Sequence, residues 1–560
     1  MLANQKNVLL TAIAGCILFS LQSSVAADAV SGNLVSVNWL AKNLQNGNVL
    51  ILDASPAQNY RENHIPGAIN VDMLAYGRPA IPAAEMEKTL RSWGVSAGKT
   101  IVIYDQGGNM MATRVFYSLE YYGFPIKDVF VLDGGSYKWQ SAGLPVTKQS
   151  TAAPTPGTFA VSEVNRDAKA ELPEVLAATG DRANAAVVEA LGADWHYGQV
   201  APFNRAGHIP NGIVVPTTDF YNADKTFKSP EEIRRMMTYF NIRPDQRIYT
   251  YCGGGVAASV PYFALKFILN YPSVKLYEDS ELGWLGDDRE LPYWTYDAPY
   301  LMRDSAWLHF WGGGILRTFG SPRVIVIDIR PRLAYDQGHL PYAVNIPAEV
   351  FENNVPNPRK MVEVLSQAGV DPALEAVVVS GAGLTPQSAL AYAVLMRLKQ
   401  NKVSIFMDSM EKAAQAGFVP TDKATVVGQQ KTPADLAIPP VTYPLTVRRN
   451  VITQDLSTPG LYPRVFIASG RNLPTQQQDG RMIHLPYTEL LNADGTPRAA
   501  KDIWKTLTKA GVPRYAQLVF VSDDTGEAAV NYFIFRLMGF PDLRILVDDC
   551  GCAMVGAQGD

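Results

Sequence analysis

The stretch best equipped for chemistry is Arg247-Ile-Tyr-Thr-Tyr-Cys252-Gly-Gly-Gly-Val-Ala-Ala-Ser259. An apolar, aromatic, β-prone run stops at a cysteine, three glycines come next, and Val256 to Asn270 reads as a helix. Strand, tight loop and helix start are thus placed in order. The glycines let the backbone curl so that several N–H groups can face one spot. The helix start adds partial positive charge there. A thiol so placed is expected to ionise readily and to act as a nucleophile. The competing reading is a buried structural cysteine ahead of a glycine turn. Cys252 is therefore the candidate catalytic residue. The backbone of Gly253, Gly254, Gly255, Val256 and Ala257 is the candidate cradle for what it binds.

A chain of 560 residues is long enough for three to five domains that must hold such a loop. The formal net charge is -4 and no basic block occurs, which argues against a nucleic-acid partner. Residues 1–27 read as a secretory signal, with Lys6 as the only charge, Val8 to Leu21 apolar, and Ser24-Val-Ala-Ala27 as a small-residue cleavage site. Periplasmic export is the expectation. The alternative is a lipid anchor at Cys16, which closes Ile13-Ala-Gly-Cys16. No later run is apolar for long enough to span a bilayer. The mature chain keeps Cys252, Cys550 and Cys552, too few for a disulfide-built scaffold. Cys550-Gly-Cys552 reads as a strained, reducible pair near the terminus, either a redox relay for Cys252 or a tail disulfide without a role.

The positioning elements come as a repeat. Val49–Asp53, Ala186–Glu189, Val324–Asp328 and Arg464–Ala468 are β-like runs, three of them closed by an acid. Each precedes a His-apolar-Pro signature, at His64, His208, His339 and His484, recurring at intervals of about 130–145 residues. A second β-run and loop follow each time, ending at Asp105, Cys252, Ser380 and Ser522; a helix and a third β-run come after. Strands alternating with helices predict an α/β fold with mainly parallel sheets covered on both faces. The predicted domains are 28–150, 158–298, 303–425 and 440–560, separated by Pro/Thr/Ala-rich stretches.

The His64-Ile-Pro-Gly67 signature, the Cys252 loop and the Leu132-Asp-Gly-Gly135…Trp139 ending resemble the rhodanese family of sulfurtransferases. The resemblance implies four tandem rhodanese-like domains. Residues 30–298 are similar to the two-domain thiosulfate and 3-mercaptopyruvate sulfurtransferases, whose second domain carries the cysteine. Asp105, Ser380 and Ser522 stand at the other loop positions, so only Cys252 could form a persulfide. The implied mechanism has two steps. Cys252 takes the outer sulfur of a small donor, and a thiol or cyanide acceptor removes it. No cofactor and no metal is called for.

The donor is less well specified by the residues. Relatives place arginines where this chain has Leu191 and Trp195, which leaves Arg205 as the candidate for holding a donor's anionic group, against a plain surface ion pair. Trp195, His196 and Trp284 are either pocket lining or packing. The signature histidines recur in repeats without a nucleophile and so read as structural. Phosphatases of this fold use Cys-x5-Arg, and here Ala258 and Ser259 stand where that arginine would fall. A second reading is an exported scaffold, or a sulfur or selenium carrier, that docks a periplasmic redox protein.

Overall fold

The computed structural model describes residues 32–73, 81–286, 290–312, 316–317, 319–428, 436–448, 451–475 and 478–547. The expected leader, Cys16, Cys550 and Cys552 lie outside the described residues. The chain divides into two compact units, Met1–Trp294 and Thr295–Asp560. No described helix is long and apolar enough to cross a membrane.

The first unit contains two sheets. β1 (Leu34–Val35), β2 (Val49–Asp53), β3 (Ile69–Asn70), β4 (Thr100–Tyr104) and β5 (Val129–Leu132) form one, in the order β1-β5-β4-β2-β3, with every pairing parallel. β6 (Ala185–Glu189), β7 (Gly212–Val214), β8 (Arg247–Tyr251) and β9 (Val274–Leu276) form the other, in the order β7-β6-β8-β9 and again parallel. A single parallel bridge, Lys169 to Leu276, takes the place of the fifth strand.

The second unit repeats the plan. β10 (Met302–Arg303), β11 (Val324–Asp328), β12 (Ala343–Asn345), β13 (Glu375–Val379) and β14 (Lys402–Phe406) run β10-β14-β13-β11-β12. β15 (Val426–Val427) and β16 (Ala437–Ile438) pair separately. β17 (Ile452–Thr453), β18 (Arg464–Ala468), β19 (Arg481–His484), β20 (Gln517–Val521) and β21 (Leu543–Leu546) give the order β17-β21-β20-β18-β19. The central strands are buried on both faces, as in Val324–Asp328, which suits a parallel sheet flanked by helices.

This topology places the loops after β4, β8, β13 and β20 at the carboxyl ends of central strands, where open α/β sheets bind ligands. The acids closing β2, β6 and β11 fall beside them. One expectation is corrected. The helix after Cys252 begins at Ser259, not Val256, and runs as α-helix to Phe263 and as π-helix over Ala264–Ile268. Ser259 and Val260 donate three residues back, to the Val256 and Ala257 carbonyls, so Val256–Ala258 stay in the turn that curls the loop.

Candidate active site

Cys252 ends β8 as a free, buried thiol with 2 % exposure. The segment after β9 clamps it from one side. Glu281 N–H donates to the Cys252 carbonyl and Leu282 N–H to the Gly253 carbonyl, both at 2.9 Å. Ser280 Oγ accepts from the N–H of Cys252 and of Gly255, at 3.1 Å each, and donates to Tyr277 O at 2.8 Å. Ser280 adopts φ 49°, a left-handed conformation that a non-glycine residue holds only under constraint. Gly255 has φ +80°, and a Cβ there would meet Glu278 O at 2.7 Å, so the position needs glycine twice over.

The backbone N–H groups of Gly254, Val256 and Ala257 meet no acceptor among the described residues. None of them bonds Sγ itself. They remain available to a bound atom at the end of β8. Leu191 and Phe203 lie against Gly253, and Trp195 packs on Phe203 with ring centres 6.3 Å apart. The mouth beside Gly253 is therefore apolar, and Leu191 and Trp195 bring no cation to it.

Behind the thiol lies a buried polar cluster. Glu189 closes β6, fully buried, and its Oε2 accepts from His196 Nδ1 at 2.6 Å and Tyr251 O–H at 2.7 Å. Glu281 is 1 % exposed. Burial, then the charges of Glu189 and Cys252, push its carboxyl up to about 10. Across the unit, Arg114 from the helix Met111–Tyr121 pairs with buried Glu278 and donates to Gly255 O at 3.4 Å. Thr113 Oγ1 and Ser259 Oγ lie 2.8 Å apart on the same seam. In return, Asp133 accepts from Phe227 N–H at 2.8 Å, and burial raises its carboxyl to about 6.

The sequence-derived residues separate into two groups. Cys252 and Gly253 to Ala257 form one loop, as expected. Arg205 does not join them through any described contact. Its guanidinium donates to Leu291 O at 2.6 Å and to Trp284 O, and lies 5.5 Å from the Tyr293 ring centre. Those bonds fasten the chain after the helix Ser280–Leu285, so the anion-binding expectation for Arg205 gives way to a fastening role. Trp284 is fully buried with Nε1 on Pro292 O, and His196 is buried on Glu189, so both belong to packing. Three of the signature histidines are buried and held in place. His64 and His339 stack on Tyr60 and Tyr335, His208 stacks on His196, and each donates Nδ1–H to a backbone carbonyl at 2.8–2.9 Å. Sequence reasoning missed Ser280, Glu281, Glu278 and Arg114. For Ser280 a signal existed, because Tyr277-Glu-Asp-Ser280 aligns with Leu132-Asp-Gly-Gly135 and puts serine where the first repeat has a left-handed glycine.

Other loops lack the thiol. Asp105 turns its carboxylate back on its own loop, accepting from Gly107 N (2.8 Å), Met111 N (3.1 Å) and Ala112 N (2.9 Å). Ser380 Oγ donates to Gly383 O at 2.8 Å, and Ser522 Oγ donates to Glu527 at 2.7 Å.

Residues 36–142, 173–287 and 315–416 match the model of the rhodanese-like domain family. A sulfur carrier protein of Thermus thermophilus is 30 % identical over 267 residues, covering 45 % of this chain and 93 % of the relative. A probable 3-mercaptopyruvate sulfurtransferase of Pseudomonas aeruginosa is 31 % identical over 281 residues, 46 % of this chain and 97 % of the relative. A putative thiosulfate sulfurtransferase of Synechococcus elongatus is 31 % identical over 278 residues, 46 % and 85 %. Among solved structures, a 3-mercaptopyruvate sulfurtransferase from Escherichia coli aligns with TM-score 0.40 and 28 % identity, over 45 % of this chain and 99 % of its own. An anaerobic ergothioneine biosynthesis enzyme from Chlorobium limicola aligns with TM-score 0.43 and 24 % identity, over 47 % and 70 %. The three matched segments hold the central strands of the first three sheets, and the fourth sheet repeats their strand order. With more than half of its length matched by the family model, the chain belongs to the rhodanese-like domain family.

Proposed function

We propose that the protein is a sulfurtransferase that moves a sulfane sulfur through a persulfide on Cys252. The observation that carries this reading is the loop itself. A free thiol ends a central strand, and three neighbouring N–H groups are left without acceptors among the described residues. The thiolate attacks the outer sulfur of a donor, of the thiosulfate or 3-mercaptopyruvate type named for the relatives. The donor's own S–S or C–S bond breaks, its electron pair leaves with the remainder, and Cys252–S–S⁻ stays in the loop. Gly254, Val256 and Ala257 N–H groups then serve the outer sulfur, where the negative charge lies. A thiol or cyanide acceptor removes that sulfur and returns the thiolate. Loading on Cys252 is equally compatible with a carrier that hands sulfur to a protein partner, which the name of the Thermus relative favours.

Intact-mass analysis of the full chain after incubation with each donor tests the reading. The expected result is a gain of one sulfur on Cys252, lost on adding a thiol, and no gain in Cys252→Ser. Loading that persists in Cys252→Ser would move the chemistry to another cysteine. Rapid multiple turnover with small acceptors supports the enzyme, whereas loading without turnover supports the carrier.

A further inference from the structure

Within the loop from Cys252 to Ala257, Gly253 and Gly254 are partly exposed, while Cys252, Gly255, Val256 and Ala257 are buried. The way to Sγ therefore runs past these two glycines. The φ of Gly253 lies outside the left-handed region, so its backbone does not demand glycine. A Cβ there would stand 3.8 Å from Leu191 Cδ1 and 3.8 Å from Phe203 Cζ, at ordinary van der Waals distance. The approach to the thiol thus holds room for a hydrocarbon group, walled by two apolar side chains. Trp195 backs Phe203. Leu282, whose N–H donates to Gly253 O at 2.9 Å, adds a further apolar side chain that is 55 % exposed.

We propose that this space receives the remainder of the sulfur donor, and that it selects donors whose remainder is an apolar aryl or alkyl group over small oxyanions such as thiosulfate. Leu191 and Phe203 are then specificity-determining residues. The inference names the donor class of the sulfur-transfer reading and rests on that reading. Its physical ground is hydration. An apolar group seated against Leu191 and Phe203 takes its own surface and theirs out of water, which is favourable in proportion to the area covered. Thiosulfate brings two negative charges past the same walls, which offer them no hydrogen bond in return for lost water. For an organic thiosulfonate R–SO2–S⁻, the Cys252 thiolate attacks the outer sulfur and the S–S bond breaks. Its electron pair leaves with the sulfinate R–SO2⁻, and Cys252–S–S⁻ remains. Two negative charges stand on each side of the step, and no proton, oxidant or reductant enters it.

Benzenethiosulfonate and methanethiosulfonate test this, because they share charge and reacting group and differ in the apolar remainder. The second-order rate of Cys252 loading in the full chain, read by intact mass, is divided by the rate of a small free thiol with the same donor. The corrected ratio of benzene to methane compound should be at least about tenfold, the lower end of what burying a phenyl group gives. A corrected ratio within about twofold of unity overturns the proposal. Gly253→Val fills the space and should lower the ratio at least about threefold. Leu191→Lys sets a cation in the wall, and should lower the ratio while raising the loading rate with thiosulfate at least about threefold. A ratio unchanged in these variants overturns the proposal even where the wild-type ratio is high. Should one variant not fold, the other decides together with the wild type. Failure of every donor to load Cys252 would remove the sulfur-transfer reading, and alkylation of Cys252 would then test the walls by themselves. Iodoacetanilide should exceed iodoacetamide at least about tenfold after the same free-thiol correction, which would keep the apolar selection at Cys252. Equal corrected rates would overturn it.

Discussion

The loops at Asp105 and Cys252 are built on one backbone plan and differ in what fills them. Ser136 N–H donates to Asp105 O as Glu281 N–H does to Cys252 O, and Tyr137 N–H to Gln106 O as Leu282 N–H does to Gly253 O. Gly135 and Ser280 hold the same left-handed turn, at φ 54° and 49°. In the first loop the Asp105 carboxylate consumes three amides of its own loop. In the second, the side chain is a thiol that takes none, and Ser280 accepts two N–H groups from outside the loop instead. The scaffold makes a nest of amides in both places. Whether the nest is a structural turn or a binding site depends on whether the residue at its base satisfies it.

The comparison can be broken most sharply by moving the thiol. Asp105→Cys in a Cys252→Ser background should load no sulfur from any donor that loads the wild type, as judged by intact mass. The reason is access. Lys225 lies against Gly107 and Gly108, and a Cβ on Gly107 would sit 2.2 Å from Gly134 O. Loading at this position would show that the loops differ only in their nucleophile. The substitution also strips a buried acceptor from three N–H groups, so a stability loss of about 2 kcal/mol in urea is expected.

Arg114 tests whether the two domains of the first unit make one site. It belongs to the helix that comes after the Asp105 loop, yet its charge is spent on Glu278 and on Gly255 O of the other loop. Both partners are nearly fully buried, with side-chain exposures of 3 % and 2 %. Arg114→Met leaves Glu278 as an uncompensated buried charge, which costs about 3–5 kcal/mol when one partner of such a pair is removed. Urea unfolding of the full chain should show this loss. Arg114→Met with Glu278→Leu should recover most of it, because an apolar pair of similar volume is often neutral. If the double variant regains stability but not sulfur loading, Arg114 shapes the Gly255 turn as well as the seam.

Local pattern was legible in the sequence. The apolar runs gave the parallel strands, and the glycines after Cys252 gave a tight loop. Histidines kept in repeats without a thiol gave a structural role, met at His64 and His339 as stacked, carbonyl-bound rings. The start of the helix was misplaced because Val256, Ala257 and Ala258 have ordinary helix-compatible side chains, and only the turn of the loop keeps them out of it. The Glu189–Tyr251–Glu281 cluster was illegible for another reason. Its members come from the ends of two strands and a helix start, brought together by sheet order alone. Arg114 reads as one cation on an amphipathic helix until the seam supplies Glu278.

Arg205 offers the smallest effect and a clean discrimination. Arg61 stands three residues before His64 as Arg205 stands three before His208, and Arg61 is exposed. The difference lies in the segment at the end of each domain, since Arg205 reaches the Leu291 and Trp284 carbonyls. A guanidinium committed to two carbonyls fastens chain and has less to offer a donor's anion. Arg205→Gln should therefore lower stability by about 1 kcal/mol, the usual worth of a partly exposed hydrogen bond. It should leave the KM for thiosulfate within about twofold of wild type, because a tenfold change would need about 1.4 kcal/mol of lost donor binding. A tenfold rise in KM that shrinks with added salt would instead place the guanidinium on the donor. The two loops would then differ in a bound cation as well as in the residue at their base.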